Sequence, residues 1–359
     1  MAYTNYIHRT PSGAGNRKTF TISTWVKRPK SNGQGWIMTV DSYPSGNMFQ
    51  YQLDTGSYLN LGQYSGSSAQ VAVSTSNLLR DPAAWYHLVL RVDTTQSTAA
   101  DRVRMYINGT EASYSTTTYP SQNYDFQLNN TVKHSIGSRE DTSSGTSLYY
   151  SHYHFCDGYS YGPDSFGSTD ATTGQWKINT SPSVSYGTNG FFVFKNGMNL
   201  SGSTVQDQSG QGNNLTLVGS SVETQDTPSD NFCTLNSLYY AASQYTLSDG
   251  NNSIVYATDS SRSAFGTIGM TDNLGKFYWE IKIVSDSNNK GAYGICDDLY
   301  TDLNATGAFI DYSGGYGYFA NGNSYNGGTG STYGNAITTG DIVGVALDMD
   351  NRKLYFSKN

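Results

Sequence analysis

The chain has 359 residues, too many for one ordinary β-domain and enough for two that each bury a core. Only 14% of residues are charged, 36% are hydrophobic and 30 are tyrosine, which argues against disorder and for an all-β protein with many turns. A net charge of -7 with no cluster of Lys or Arg gives no footprint for nucleic acid, and no apolar run approaches the roughly 20 residues that span a bilayer. The opening "MAYTNYIHRT" lacks the apolar core of a signal peptide, so the chain is expected to fold in a cytoplasm without inserting into a membrane.

Strand patterns begin early. In "KTFTISTWVKR", Phe20, Ile22 and Val26 fall on one face with polar Thr21 and Ser23 between them, the pattern of a half-buried strand. In "WYHLVLRVD", Tyr86, Leu88, Leu90 and Val92 share a face. In "RVRMYINGTEASY", Val103, Met105 and Ile107 alternate into Asn108-Gly109, a strong hairpin signal because both turn residues tolerate positive φ. No long 3.6-residue apolar period appears, so helices are expected to be short or absent. From about Phe166 to Asp230 turn residues dominate, and two strand-like pieces suggest an ordered connector that packs on a neighbour. After it, "GKFYWEIKIV" puts Phe277, Trp279, Ile281 and Ile283 on one face. "GDIVGVALDMDNRKLYF" reads as a strand, a tight turn near Asp350-Asn351 and a return strand with Leu354 and Phe356 inward. The predicted architecture is all-β: two antiparallel β-sandwich domains at 1–165 and 230–359, joined by a turn-rich connector at 166–229. Cys156, Cys233 and Cys296 are odd in number and far apart, and are read as reduced and mostly buried.

"FTISTWVKR", "AAWYHLVLRVD", "RVRMYINGTEA" and "YHFCDG" resemble, in order, strands of the laminin-G-like, concanavalin A-like jelly roll. "GKFYWEIKIV", "GAYGICDD", "GYFANGNSYN" and "GDIVGVALDMDNRKLYFSKN" resemble a SPRY domain. The pieces "SFGSTDATTGQW", "SYGTNGFFVF" and "DQSGQGNN" are similar to segments between such modules in structural proteins of marine tailed phages. The resemblance implies two-sheet sandwiches and a binding role, often toward carbohydrate or a protein surface. A SPRY domain normally continues past the strand resembling "LYFSKN", so the 359 residues are expected to be part of a longer polypeptide, or to take the missing strands from a neighbouring chain.

Jelly rolls of this kind include glycoside hydrolases, which need two carboxylates roughly 5–10 Å apart. The four glutamates, Glu111, Glu140, Glu223 and Glu280, are never two or four residues apart, and the aspartates fall mostly in turns. Glu280 lies opposite Trp279 in its strand and reads as part of a solvated face. "GYSYG" at Gly158–Gly162 fits the nucleophile-elbow spacing, but Pro163 and more turn residues follow, so Ser160 reads as loop. "GGYGYFANG" lacks both the helix and the third glycine of a dinucleotide loop, with Ala320 in its place. No catalytic residue is assigned.

His152 and His154 are weak candidates for a metal gathered on an oligomer axis; the competing reading is an outward polar face opposite inward Tyr153 and Phe155. Several of the resembling domains hold calcium through loop acids. Asp41, Asp54 or Asp141 would serve, and no site is assigned. Binding remains. Sugars are met by flat aromatic faces together with Asn, Asp and backbone groups. The loop candidates are Tyr43 in "DSYPSGNM" and Tyr64 in "LGQYSGSS", and in the second domain Tyr312, Tyr316, Asn321, Asn323, Tyr325 and Tyr333. The competing reading packs these tyrosines on sheet faces, with glycine serving only turns. The expected protein is a non-enzymatic virion subunit, a fibre or appendage that binds a host-surface glycan or receptor. The alternatives are a virion protein that binds other virion proteins and, at low weight, a polysaccharide-degrading enzyme. Weak sites gain from multivalency, so a homo-oligomer is expected, with a trimer preferred.

Overall fold

A computed structural model describes residues 5–28, 34–40, 46–139, 148–195, 197–221, 223–240, 245–256, 263–270, 275–285, 290–297 and 308–359. They divide into two compact units, residues 1–233 and 234–359. Both are antiparallel β-structures, and the helical pieces among the described residues are 3-10 turns of three residues.

In the first unit two sheets enclose a common core. The larger runs in the order Tyr114–Thr118, Ser68–Thr75, Leu59–Ser65, Asn47–Leu53, Gly35–Val40, His134–Ile136, Tyr6–Arg9, Leu215–Val218, Thr204–Val205 and Leu200–Ser201. The smaller runs Phe191–Val193, Tyr149–Asp157, Thr19–Lys27, Trp85–Asp93, Val103–Ile107 and Thr110–Glu111. Alternation decides what faces inward: Phe20, Ile22, Val26, Leu88, Leu90, Val92, Val103 and Met105 meet Phe49, Tyr51, Leu61, Val71 and Val73 in the core. The predicted hairpin forms at Asn108-Gly109, whose φ values of 48° and 81° are the two positive angles a two-residue turn of this kind requires.

The expectation of half-buried strands fails on the smaller sheet. Thr21, Ser23, Trp25 and Lys27 leave the core face and are buried nevertheless. Phe166, Tyr161, Val184 and Tyr186 lie over that outer face, against Val89 and Cys156. The segment set apart as a connector therefore belongs to the first unit. Phe191–Val193 pairs with Tyr149–Asp157 in the smaller sheet, and Leu215–Val218 pairs with Tyr6–Arg9 in the larger. The physical reason is on the strands themselves: their outer face carries Trp25, His87, Val89 and Cys156, which burial favours, and few charges. The one lysine there, Lys27, is fully buried and donates to Asp226 at 2.6 Å, Asn231 at 2.8 Å and the Phe232 carbonyl at 2.7 Å. Asp226 also accepts from the Trp85 indole at 2.7 Å, so the 226–232 stretch is fastened by a satisfied buried charge.

In the second unit Lys276–Lys282, Ile342–Asp348 and Lys353–Lys358 form one sheet. Ala292–Cys296, Gly315–Phe319, Asn323–Asn326 and Thr329–Thr332 form another, and two short ladders add Leu235–Tyr240 with Ala264–Gly266 and Tyr245–Ser248 with Ser253–Tyr256. Leu354 and Phe356 face inward opposite Leu347 and Val345, as the alternation predicts, and join Trp279, Ile281, Ile283, Tyr318 and Ile337 in the core. Cys156 is buried, Cys296 is half-buried and Cys233 is exposed, so the expectation of mostly buried cysteines fails at Cys233; none is in a disulfide.

Candidate functional site

Half of the tyrosine-rich candidates of the second unit are on strands rather than in loops. Tyr316 lies on Gly315–Phe319, Asn323 and Tyr325 lie on Asn323–Asn326, and only Tyr312, Asn321 and Tyr333 are in turns or connections. The glycines between them misled the reading, because here glycine serves close approach. A Cβ on Gly317 would stand 2.5 Å from Ile310, and one on Gly294 would stand 2.0 Å from the Tyr316 carbonyl oxygen. Tyr325 stacks edge-on against Phe319 and its hydroxyl accepts from the Asn321 amide. Tyr316 remains exposed. Tyr333 is spent on structure: its ring packs on Tyr318 and Phe356, and its hydroxyl both donates to the Phe356 carbonyl at 3.1 Å and accepts from the Phe356 N–H at 2.9 Å. The structure thus spreads these six residues over a sheet and its turns.

Tyr64 is likewise on a strand, Leu59–Ser65, where its ring covers Gly62 and its hydroxyl accepts from Gln50. Tyr43, Asp41 and Asp141 lie outside the described residues. Asp54 accepts from the Tyr58 N–H in a tight turn. His154 is buried, stacked on Phe192 with ring centroids 4.0 Å apart, and bonded to the Tyr186 hydroxyl. His152 has φ 47° at an irregularity in the strand and bonds Ser151. Burial pushes His152 down to about 4 and His154 well below the usual histidine range. Both rings are therefore neutral and already partnered, and among the described residues no three His, Cys, Asp or Glu side chains converge on a point that could hold a metal. Tyr153 and Phe155 face the core as the competing reading had it.

A Ser–His pair also occurs, Ser23 Oγ lying 2.9 Å from His87 Nε2. Trp176 Nε1 donates to His87 Nδ1 at 3.0 Å, which fixes the proton of the neutral ring on Nε2, facing the serine. Burial between Trp25 and Trp176 holds the imidazole down at about 3. This pair has the wrong tautomer to take the serine's proton. Ser160 accepts from Arg91 in a loop, as expected of it.

Among the described residues, side chains of the covering segment of the first unit converge around a cavity. An open cleft of about 610 Å³ is lined by Tyr159, Ser185, Tyr186, Thr188, Ser209 and Gln211, with Val184 and Gly187 between them, and none of these side chains is charged. Each wall has a cause. Tyr159 stacks on Tyr161 with centroids 5.6 Å apart and 10° between planes, and Thr21 bonds the backbone on both sides of Ser160. The Tyr161 hydroxyl accepts from the Ser185 N–H, tying this wall to the next. Gly187 has φ 67°, and a Cβ there would be 2.1 Å from the Asp157 carbonyl oxygen, so only glycine lets the chain turn beside Tyr186. Tyr186 is backed by His154 and Phe192. Asp207 accepts from the N–H groups of Phe192, Ser209 and Asn213 and from the Ser209 hydroxyl, fixing the third wall. The Tyr159 ring keeps 41% of its surface exposed. Sequence reading missed this site because it treated "GYSYG" and "DQSGQGNN" as turn material. The signal was Tyr159 and Tyr161 at i and i+2, which put two rings side by side.

Two family models match the chain. The concanavalin A-like lectin/glucanases superfamily matches residues 2–149 and the SPRY domain matches residues 276–359. The dual specificity protein kinase splA of Dictyostelium discoideum is 34% identical over 84 residues, 23% of this chain and 3% of that protein, so the chain spans a very small part of that relative's length. Among solved structures, a putative carbohydrate binding protein from Bacteroides ovatus is 14% identical over 63% of this chain and 60% of its own, with a TM-score of 0.41. Domains LG4-5 of the mouse laminin alpha1 chain are 10% identical over 99% of this chain and 75% of theirs, with a TM-score of 0.34. A SAP-like pentraxin from Limulus polyphemus is 14% identical over 44% of this chain and 71% of its own, with a TM-score of 0.32.

Proposed function

We propose that this chain is a non-enzymatic glycan-binding subunit and that the Tyr159–Tyr186 cleft is where its first unit takes a neutral saccharide. The observation that carries the reading is the chemistry of the cleft. A half-exposed tyrosine ring offers a flat face to the C–H side of a sugar, and the Ser185, Thr188, Ser209 and Gln211 side chains offer hydroxyls and an amide to its O–H groups. A charged ligand would find no countercharge on these side chains. A second reading, a surface for other proteins, draws support from the open form of the cleft but not from its lack of an apolar floor. The resemblance of "SYGTNGFFVF" and "DQSGQGNN" to segments of tailed-phage structural proteins supports placing the subunit in a virion appendage that attaches to a host, as an oligomer whose weak sites act together.

The test is binding of purified chain to a glycan array and to host cells, repeated with Tyr159→Ala. Saccharide binding that falls about tenfold or more in the variant, a loss of about 1.4 kcal/mol, supports the reading. Binding unchanged in Tyr159→Ala removes the cleft from it. Reducing sugar released from a bound polysaccharide would return the enzymatic alternative.

A further inference from the structure

The three-stranded sheet of the second unit turns a second aromatic surface to solvent. Lys276, Tyr278, Glu280 and Lys282 alternate outward from half-buried neighbours, and Tyr278 is 62% exposed. The register places Tyr278 beside Ala346 and Ala346 beside Tyr355, itself 51% exposed, so two tyrosines flank one small residue across three strands. Glu280, Gly344 and Ser357 make the next row. A Cβ on Gly344 would stand 2.5 Å from Ser357 Oγ, 2.8 Å from the Tyr278 hydroxyl oxygen and 3.3 Å from its ring carbon Cε2. The hydroxyl end of the Tyr278 ring therefore reaches over buried Gly344, and its hydroxyl donates to Glu280 Oε1 at 2.9 Å. With its hydroxyl end over Gly344 and 62% of the residue exposed, the ring leaves most of its surface to solvent. Strands about 4.8 Å apart put the Tyr355 backbone roughly 10 Å from that of Tyr278, which leaves a shallow trough over Ala346.

We infer that this trough is a second saccharide site, independent of the cleft, in which a neutral pyranose stacks on the flat Tyr278 ring. Its hydroxyls reach the Glu280 carboxylate and the Ser357 hydroxyl, and Tyr355 walls the far side. The occupant follows from the groups present. A flat, locked aromatic face suits the C–H face of a pyranose, and a carboxylate beside it accepts from sugar hydroxyls at the edge. An acidic sugar stacked there would meet Glu280, while Lys276 is engaged by Asp348. Gly344 is the specificity device: any side chain at that position lifts the ring off the floor.

The experiment uses the full chain in affinity electrophoresis through gels cast with galactomannan, xyloglucan or dextran, followed by calorimetric titration with oligosaccharides of the polymer that retards it. In a Tyr159→Ala background, both Tyr278→Ala and Gly344→Val are expected to weaken the remaining binding about tenfold or more, with the melting temperature moving by no more than ~2 °C. Gly344→Val keeps the ring but crowds both it and Ser357 Oγ, so its effect, set against that of Ser357→Ala, separates a stacking platform from a merely exposed tyrosine. If Tyr159→Ala alone abolishes all binding, the second site falls and the cleft stands. If the Tyr278 and Gly344 variants bind like their parent, the second site falls as well. If the unmodified chain binds none of the three polymers, both sites fall. If light scattering finds that Tyr278→Ala converts a dimer to a monomer, the face is an interface between copies and the inference is overturned.

Discussion

The outer faces of the Thr19–Lys27 strand in the first unit and the Lys276–Lys282 strand in the second answer the same periodic pattern in opposite ways. In the first, Thr21, Ser23 and Trp25 lie beneath a second layer of chain, and the single cation, Lys27, has three acceptors. In the second, Lys276, Glu280 and Lys282 remain in water around Tyr278. Alternation fixes which side chains leave the core, and only their chemistry says whether something covers them. Hydroxyls and imidazoles can be buried once bonded, and a largely apolar indole even without a partner, whereas repeated Lys and Glu cannot be at tolerable cost.

The comparison is broken most strongly by acid. All five histidines of the chain lie in the first unit, and four of them, His87, His134, His152 and His154, are buried. Burial lowers each below its value in the unfolded chain: His134 and His152 to about 4 and His87 to about 3. The unfolded chain therefore takes up protons as pH falls through about 6.5 while the folded unit does not. Stability present above that pH is lost at up to ~1.4 kcal/mol per pH unit for each histidine down to the folded values. The second unit has no histidine, and its depressed carboxylates, Asp348 at about 2 beside Lys276 and Asp341 lower still beside Lys358, release stability only below about pH 4. Denaturant melts between pH 7 and 4.5 should destabilise the first unit, followed through Trp25, Trp36, Trp85 and Trp176, and leave the second, followed through Trp279, nearly constant. Parallel loss in both would contradict this account.

Next in size is the fastening of the cover. Asp226→Ala leaves Lys27 in a site with no exposed surface and without its carboxylate, and should cost about 3–5 kcal/mol of first-unit stability in urea. Pairing that change with Lys27→Met should recover most of the loss, because the uncompensated charge rather than the missing bond carries the cost. A loss under about 1 kcal/mol would mean that the 226–232 stretch is not what holds the layer down.

Much of the sandwich was legible. Phe20, Ile22, Leu88, Leu90, Trp279, Ile281, Leu354 and Phe356 point where period two sends them, and the Asn108-Gly109 hairpin follows from two residues that tolerate positive φ. The cover was not legible, since Phe191–Val193 and Leu215–Val218 are too short to say which distant strands they will join, the one in Tyr149–Asp157 and the other as far back as Tyr6–Arg9. The candidate site was hardly legible at all. Glycines at 294, 315 and 317 read as turns because a sequence cannot distinguish a glycine that bends the chain from one that admits a neighbour. The cleft is built by pairs distant in sequence, such as Tyr161 with Ser185, and no local pattern announces them.

The smallest effect is expected at Tyr333, and it sharpens the contrast between a covering layer and a single covering side chain. Among the described residues Lys353–Lys358 pairs with Ile342–Asp348 on one side, and on the other the Phe356 N–H and carbonyl meet the Tyr333 hydroxyl. Tyr333→Phe removes one oxygen and both bonds while keeping the ring on Tyr318 and Phe356. Because Tyr333 is 44% exposed, water can take over the freed backbone groups, so the loss should be near the net value of a hydrogen bond, about 1 kcal/mol in a denaturant melt of the second unit. Tyr333→Ala strips the ring as well and should cost about 2 kcal/mol, below the figure for a fully buried aromatic residue. An uncapped edge strand also offers its N–H and carbonyl groups to another chain, so Tyr333→Phe should increase concentration-dependent association in sedimentation or light scattering. Equal stability and association in Tyr333→Phe and the parent would show that solvent satisfies the edge as well as the hydroxyl does, and that the second unit needs no cover there.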